Sequence, residues 1–98
     1  MLKRKIKYQD FNGNPQEDAF YFNLSEAELL EMESNYKGGF AETMQRIVDT
    51  NDTKELIAEF KGLILLAYGE KSEDGKQFLK SPEMAKGFSQ HAAYSTLF

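Results

Sequence analysis

The chain has 98 residues, which is enough for one domain with a single modest core. Its 16 acidic and 12 basic side chains give a formal net charge of −4, which argues against a broad nucleic-acid-binding surface. There is no cysteine and only one histidine, so the sequence offers no disulfide, no thiolate chemistry and no multi-histidine metal site. No apolar run approaches the ~18 residues of a membrane-spanning helix, and the basic start has no apolar run behind it, so we expect neither a membrane span nor a secretory signal.

Two alternating segments at the N-terminus predict a β-hairpin with strands near residues 2–10 and 17–24. The side chains expected on its core face are Ile6, Tyr8, Phe20 and Phe22. Asn12-Gly13 is typical of a two-residue turn, but that register mixes lysines into the apolar face. Because a slip of one residue moves every side chain to the other face, we predict a loop of three or five residues. The expected pairs are Ile6 with Phe20, Tyr8 with Asp18, and Lys5 with Tyr21, and the expected solvated row is Lys3, Lys5 and Lys7.

Three helices are predicted to follow the hairpin. Ser25 and Glu28 are spaced as a capping box, which predicts a helix from there to about Tyr36, ended by Gly38-Gly39. The second helix is indicated by Phe40, Met44, Ile47 and Val48. The third helix, over about residues 53–68, is apolar around much of its circumference, and Gly62 within it suggests a close crossing with a neighbour. This third helix is either the buried centre of the core, the favoured interpretation, or it leaves Leu65 and Leu66 for a partner chain.

Residues 69–77, GEKSEDGKQ, bear a superficial likeness to a phosphate-binding loop. Five residues instead of four separate the two glycines, Gln77 replaces the required hydroxyl, and three carboxylates would repel a polyphosphate. We interpret the segment as a connector between helices, with Gly69 ending one helix and Ser81-Pro82 opening the next. The last stretch, up to an uncapped Phe98, is predicted to be helical and apolar on one face.

The sequence therefore predicts an α+β protein, with an N-terminal β-hairpin followed by a small bundle of four to five α-helices. We expect a single domain over residues 1–98, with the hairpin in about 2–24 and the helical part in about 25–98. His91 has no accompanying nucleophile or carboxylate constellation, so we expect no enzyme activity, no catalytic residue, no cofactor site and no metal site. The candidate partner-binding residues are Leu65, Leu66, Tyr94, Leu97 and Phe98.

Four segments in order resemble the tail assembly chaperones of long-tailed, siphovirus-type phages and prophages of Gram-positive bacteria. They are FYFNLSEAEL at the end of the hairpin, GGFAETMQRIVDTND, IAEFKGLILLAYGEKSEDGKQFLKSPE and FSQHAAYSTLF, and with the hairpin the resemblance runs in order over nearly all 98 residues. The resemblance implies a non-enzymatic protein of the host cytoplasm that coats and solubilises the tape measure protein, helps recruit tail tube proteins, and is absent from the mature virion. Members of this family often also occur as a longer frameshifted product. Weak and repeated contacts with a long client would favour self-association into a homo-oligomer, and the charge and hydropathy of the chain predict no nucleic-acid or membrane partner. Similar chains continue past Phe98, a departure from the family's pattern that leaves open whether the C-terminus is truncated.

Other classes of protein remain as alternatives. The first alternative is a virion structural protein of the tail or of the head–tail connector, which would stay in purified particles. A regulatory adaptor and a small enzyme are the others, and the missing base–nucleophile pair argues against the enzyme.

Overall fold

A computed structural model describes all residues, 1–98, as an α+β chain. Its strands and helices are, in order, β1 (Leu2–Gln9), β2 (Pro15–Phe22), α1 (Glu26–Ser34), α2 (Phe40–Asp49), α3 (Thr53–Ala67), β3 (Tyr68–Lys71), β4 (Phe78–Leu79), α4 (Pro82–Ser89) and a 3-10 turn (Tyr94–Leu97). The chain forms two compact units, one of residues 1–23 with 64–98 and the other of residues 24–63. The α+β class and the N-terminal hairpin are confirmed, and the helix number roughly agrees with the prediction.

The hairpin has the predicted faces but a different register. Its five-residue loop, residues 10–14, is odd as predicted, and it pairs Ile6 with Asp18 and Arg4 with Phe20. The predicted pairing of Ile6 with Phe20 is therefore wrong by two residues. Two residues of slip preserve the faces, so the buried side chains are still Ile6, Phe20 and Phe22, with Tyr8 half-buried and the lysine row exposed.

The side chain of Asp10 organises this loop. Its carboxylate accepts hydrogen bonds from the backbone N–H groups of Asn12 and Asn14, and from the side-chain amide of Gln16. These charge-assisted hydrogen bonds hold the pKa of Asp10 below its ordinary value, with the Asn14 bond contributing most. Gly13 adopts a φ of 84°, which a residue with a side chain rarely does. The hydrogen bonds that this one carboxylate accepts thus favour the five-residue loop over a two-residue turn.

Strand β3 was not predicted, whereas β4 lies within residues 77–80, whose sequence predicts a short extended stretch. The two strands extend the hairpin into a four-stranded antiparallel sheet in the order β1-β2-β3-β4. The segment GEKSEDGKQ is mostly the end of β3 and the turn that leads to β4, so the prediction of a connector between two helices is wrong. Gly69 does not end a helix but lies buried in β3, opposite Tyr21 of β2. In the turn, the Ser72 hydroxyl donates to Asp74 and accepts from the backbone N–H of Gln77.

An aromatic cluster forms the core of the unit that contains the sheet. Phe88 of α4 is buried, stacks on Tyr68 at 4.2 Å between ring centroids, and meets Phe20 and Phe22 at 5.5 and 5.8 Å. Helix α4 starts as predicted, with the Ser81 hydroxyl accepting from the Met84 N–H and Pro82 in its first turn. The predicted C-terminal helical stretch is two pieces, α4 and the 3-10 turn.

The second unit contains α1, α2 and most of α3. The predicted capping box is present at the start of α1, where Ser25 and Glu28 exchange hydrogen bonds between side chain and backbone. Gly38 and Gly39 follow α1 with φ values of 81° and 95°, which agrees with their predicted role in ending it. Ile47 of α2 is only 1% exposed and is the best buried side chain of this unit.

Helix α3 is not the buried helix that its composition favours. Phe60 is 41% exposed, and only Ala67, at the end of the helix, is buried. A side chain built at Gly62 would meet nothing within 4 Å, so the predicted close crossing there is wrong. The helix is long and apolar, but its neighbours cover it incompletely.

Candidate partner-binding surfaces

The predicted binding residues lie in two places of the unit formed by residues 1–23 and 64–98. Leu65 is half-buried and Leu66 is 44% exposed, both near the end of α3. Tyr94 and Leu97 are half-buried in the 3-10 turn, and Phe98 is 45% exposed. Leu65 and Leu66 are thus part of a helix, whereas the other three candidates are in or next to the 3-10 turn.

The aromatic residues of the C-terminal segment do come together. The rings of Tyr94 and Phe98 meet edge to face at 5.0 Å, and Tyr94 also meets buried Phe88 at 5.5 Å. Tyr94 therefore anchors the segment to the core, while Phe98 carries much of its exposed apolar area. This segment can offer an aromatic contact to a partner.

Helix α3 exposes apolar side chains on two opposite sides. Ile57 and Phe60, at 43% and 41% exposure, lie three residues apart on one side of the helix. Leu66 follows Ile57 by nine residues, which at 100° per residue places it on the opposite side. A shallow groove of about 500 Å³ runs along the Ile57 side, where Lys54 and Lys61 flank Ile57 and Ala58. An amphipathic or apolar helix is the kind of partner that such a surface fits.

The two most exposed large apolar side chains, Phe11 and Leu30, are not among the predicted binding residues. Phe11 is 87% exposed at the tip of the hairpin, held there by the hydrogen-bonded Asp10 loop. Leu30 of α1 is 72% exposed, although its helix was predicted correctly. The exposure of Phe11 could have been predicted from its place among turn-forming residues, because such loops are usually polar.

Two titratable side chains near the aromatic core, Tyr8 and His91, form hydrogen bonds and ring contacts within the chain. The hydroxyl of Tyr8 donates to the carboxylate of Asp18, and this hydrogen bond to a carboxylate raises the pKa of Tyr8 to about 12. His91 is exposed, its ring centroid is 5.2 Å from those of Tyr8 and Phe20, and its Nδ1 accepts a hydrogen bond from the Ala93 N–H. No cluster of three or more His, Cys, Asp or Glu residues could hold a metal ion, and no helix has the length and apolarity to cross a bilayer.

Comparison with known proteins identifies one family. The model of a family described as phage tail assembly chaperone matches residues 1–98, the whole length of the chain. No curated protein and no solved structure matches the chain significantly.

Proposed function

Because this chain belongs to a family of phage tail assembly chaperones, we propose that it binds the tape measure protein and keeps it soluble while the tail is assembled. The observation that supports this is the incomplete burial of α3, which leaves Ile57, Phe60 and Leu66 each more than 40% exposed. A tape measure protein is long and helical, so its apolar stripes would bury these side chains. The chaperone would help recruit tail tube proteins, act in the host cytoplasm and leave before the virion is complete.

The exposed area on α3 suits reversible binding. Full burial of an Ile, Leu or Phe side chain is worth ~1.5–3 kcal/mol, so three side chains that are a little under half exposed supply about 2–4 kcal/mol together. For reversible binding of a tape measure protein we expect a dissociation constant of ~1–100 μM, which corresponds to a binding free energy of roughly −8 to −5.5 kcal/mol. The α3 surface alone falls short of this range, so Tyr94, Leu97 and Phe98 would have to contribute. A weak and repeated contact of this kind releases its client when tube proteins arrive.

Co-expression of an insoluble tape measure fragment with and without this chain tests the proposal. We expect the chaperone to move the fragment into the soluble fraction, and the double variant Phe60→Ser/Leu66→Ser to do so much less. Val48→Ser is the matched control, because Val48 is also about half exposed, at 51%, but lies on α2. A fragment that is equally insoluble with and without the wild-type chain would contradict the proposal. Stable incorporation of the chain into purified particles would favour a virion structural protein instead.

A further inference from the structure

One face of the hairpin carries an unpaired row of positive charge. On the side away from Ile6 and Phe20, Lys3 lies opposite Tyr21 and Lys5 lies opposite Ala19. Both lysines are exposed and neither forms an ion pair within 4 Å, whereas Lys7 pairs with Glu17 at 3.8 Å. Lys3, Lys5, Ala19 and Tyr21, which we call the lysine face, thus combine two unpaired ammonium groups with a small apolar strip.

Helix α1 carries the complementary pattern. It contains four glutamates and no basic residue, and none of its side chains is buried. Positions 26, 29, 30 and 33 lie on one side of a helix with 3.6 residues per turn. This side, the α1 stripe, consists of Glu26, Leu29, Leu30 and Glu33, so that two exposed leucines lie between two carboxylates. Glu26 and Glu33 form no ion pair, whereas Glu28 is occupied in the capping box.

We propose that the α1 stripe of one copy docks on the lysine face of a second copy. Along a helix, Glu26 and Glu33 are roughly 10 Å apart, and along a strand Lys3 and Lys5 are roughly 7 Å apart. The flexible four-carbon lysine side chains span the difference, which places both ammonium groups at carboxylates. Leu29 and Leu30 then cover Ala19 and Tyr21, so the contact buries apolar area as well as pairing charge.

The second copy is the occupant because both charge patterns belong to this chain. Strand β1 has four basic residues and no acidic one, which is the reverse of α1. Pairing of β1 with β1 of another copy would set lysines against lysines, and like charges in directly opposed positions destabilise a sheet. The remaining arrangement joins two different surfaces, and a contact of this head-to-tail type repeats from copy to copy. The contact between copies uses neither α3 nor the C-terminal segment. It can therefore be tested independently of tape measure binding.

Charge reversal on each surface tests the contact by analytical ultracentrifugation. We expect the average mass of the wild-type chain to rise with concentration in 50 mM salt and to fall toward the monomer in 500 mM salt, because exposed charges are screened. Lys3→Glu/Lys5→Glu and Glu26→Lys/Glu33→Lys should each stay monomeric alone. Mixed in equal amounts, they should associate as the wild type does, with the two variants alternating. The unchanged α1 stripe of the first variant meets the unchanged lysine face of the second, and the reversed stripe of the second meets the reversed face of the first. This rescue also shows that both variants are folded.

Matched controls change the same charge elsewhere. Lys71→Glu/Lys76→Glu and Glu70→Lys/Glu73→Lys alter exposed residues of β3 and its following turn and should associate like the wild type. A wild-type chain that stays monomeric in 50 mM salt, or a mixture of the two reversed variants that fails to associate, would overturn the proposal. Loss of association in the controls to the same degree would also overturn it. So would a lysine-face variant that self-associates normally but no longer binds a tape measure fragment, since the occupant would then be the client.

Discussion

Gly69 gives the sharpest test of the packing, because the structure leaves no room for even one added methyl group. A Cβ atom at this position would lie 2.5 Å from the carbonyl oxygen of Leu79 and 2.6 Å from Cε2 of Phe78. Ordinary contacts of a Cβ begin near 3.4 Å, so β4 would have to move by almost 1 Å. Gly69 is buried, and the nearest obstacle is backbone, which cannot rotate away as a side chain does.

We therefore expect Gly69→Ala to lower the free energy of unfolding by about 2–3 kcal/mol, the upper part of the range for overpacking a well-filled site. For a domain with ~5–15 kcal/mol in total, this is a large share. This loss can be measured by urea denaturation, with unfolding monitored by far-ultraviolet circular dichroism. Gly62→Ala is the matched control, because an added Cβ there meets nothing within 4 Å in the middle of α3. Alanine should stabilise the helix at that position by ~1 kcal/mol. A Gly69→Ala variant within 0.5 kcal/mol of the wild type would refute the packing argument.

Three further predictions follow from single contacts. Phe88→Ala should cost ~3–5 kcal/mol in the same denaturation assay, because Phe88 is the centre of the aromatic core, whereas Phe11→Ala should change stability by less than ~0.5 kcal/mol. Ser25→Ala removes the side-chain acceptor of the α1 cap and should cost ~1 kcal/mol, seen as a lower thermal midpoint. Because the hydrogen bond to Asp18 raises the pKa of Tyr8 from 10.0 to about 12, its stabilisation should be complete below pH 10 and be lost as the pH rises toward 12. Spectrophotometric titration should show the pKa of Tyr8 returning toward 10.0 in Asp18→Asn, and an unchanged value would contradict this assignment.

Alternation along the hairpin predicted which side chains face the core but not which residues are opposite one another. A period of two is unchanged by a slip of two residues, so Ile6 and Phe20 share a face both in the predicted register and in the observed one. The register depends instead on the loop, where the Asp10 carboxylate accepts hydrogen bonds from the backbone N–H groups of Asn12 and Asn14. Such a contact follows from three-dimensional geometry, and the sequence shows only that a turn-forming residue is present.

A strand as short as β3 shows too few alternating residues to be predicted from the sequence. Strand β3 has four residues and follows α3 directly. The sequence pattern therefore predicts Tyr68 in the last turn of the apolar helix and Gly69 at its end. In the structure, Gly69 is needed because β4 approaches closely, a role that only its missing side chain permits. Local helix signals were more reliable, since Ser25 and Ser81 cap their helices as predicted.

The apolar composition of α3 indicated a helix correctly but could not show how much of it is covered. If α3 were the buried centre of the core, Phe60→Ala and Ile64→Ala would cost ~3–5 and ~2–5 kcal/mol. Phe60 is 41% exposed and Ile64 is half-buried, so those losses should be smaller, most of all for Phe60. A pattern of residues gives the apolar area of a helix, whereas exposure depends on how many neighbours the rest of a short chain supplies. Of the exposed apolar side chains of α3, the candidate set includes Leu66 but not Ile57 and Phe60, because the favoured interpretation makes α3 a buried helix.

The two proposed contacts use different elements: client binding uses α3 and the C-terminal segment, whereas association between copies uses the hairpin and α1. Exposed side chains of α3 can bury apolar area against a client, an interaction that salt does not screen. The lysine face and the α1 stripe would join copies through exposed charges, which salt weakens within a Debye length of about 8–10 Å. If the two contacts shared one surface, binding a client would compete with association of neighbouring copies. Because they use different residues, several copies can hold a long client together while each single contact stays weak enough to release it.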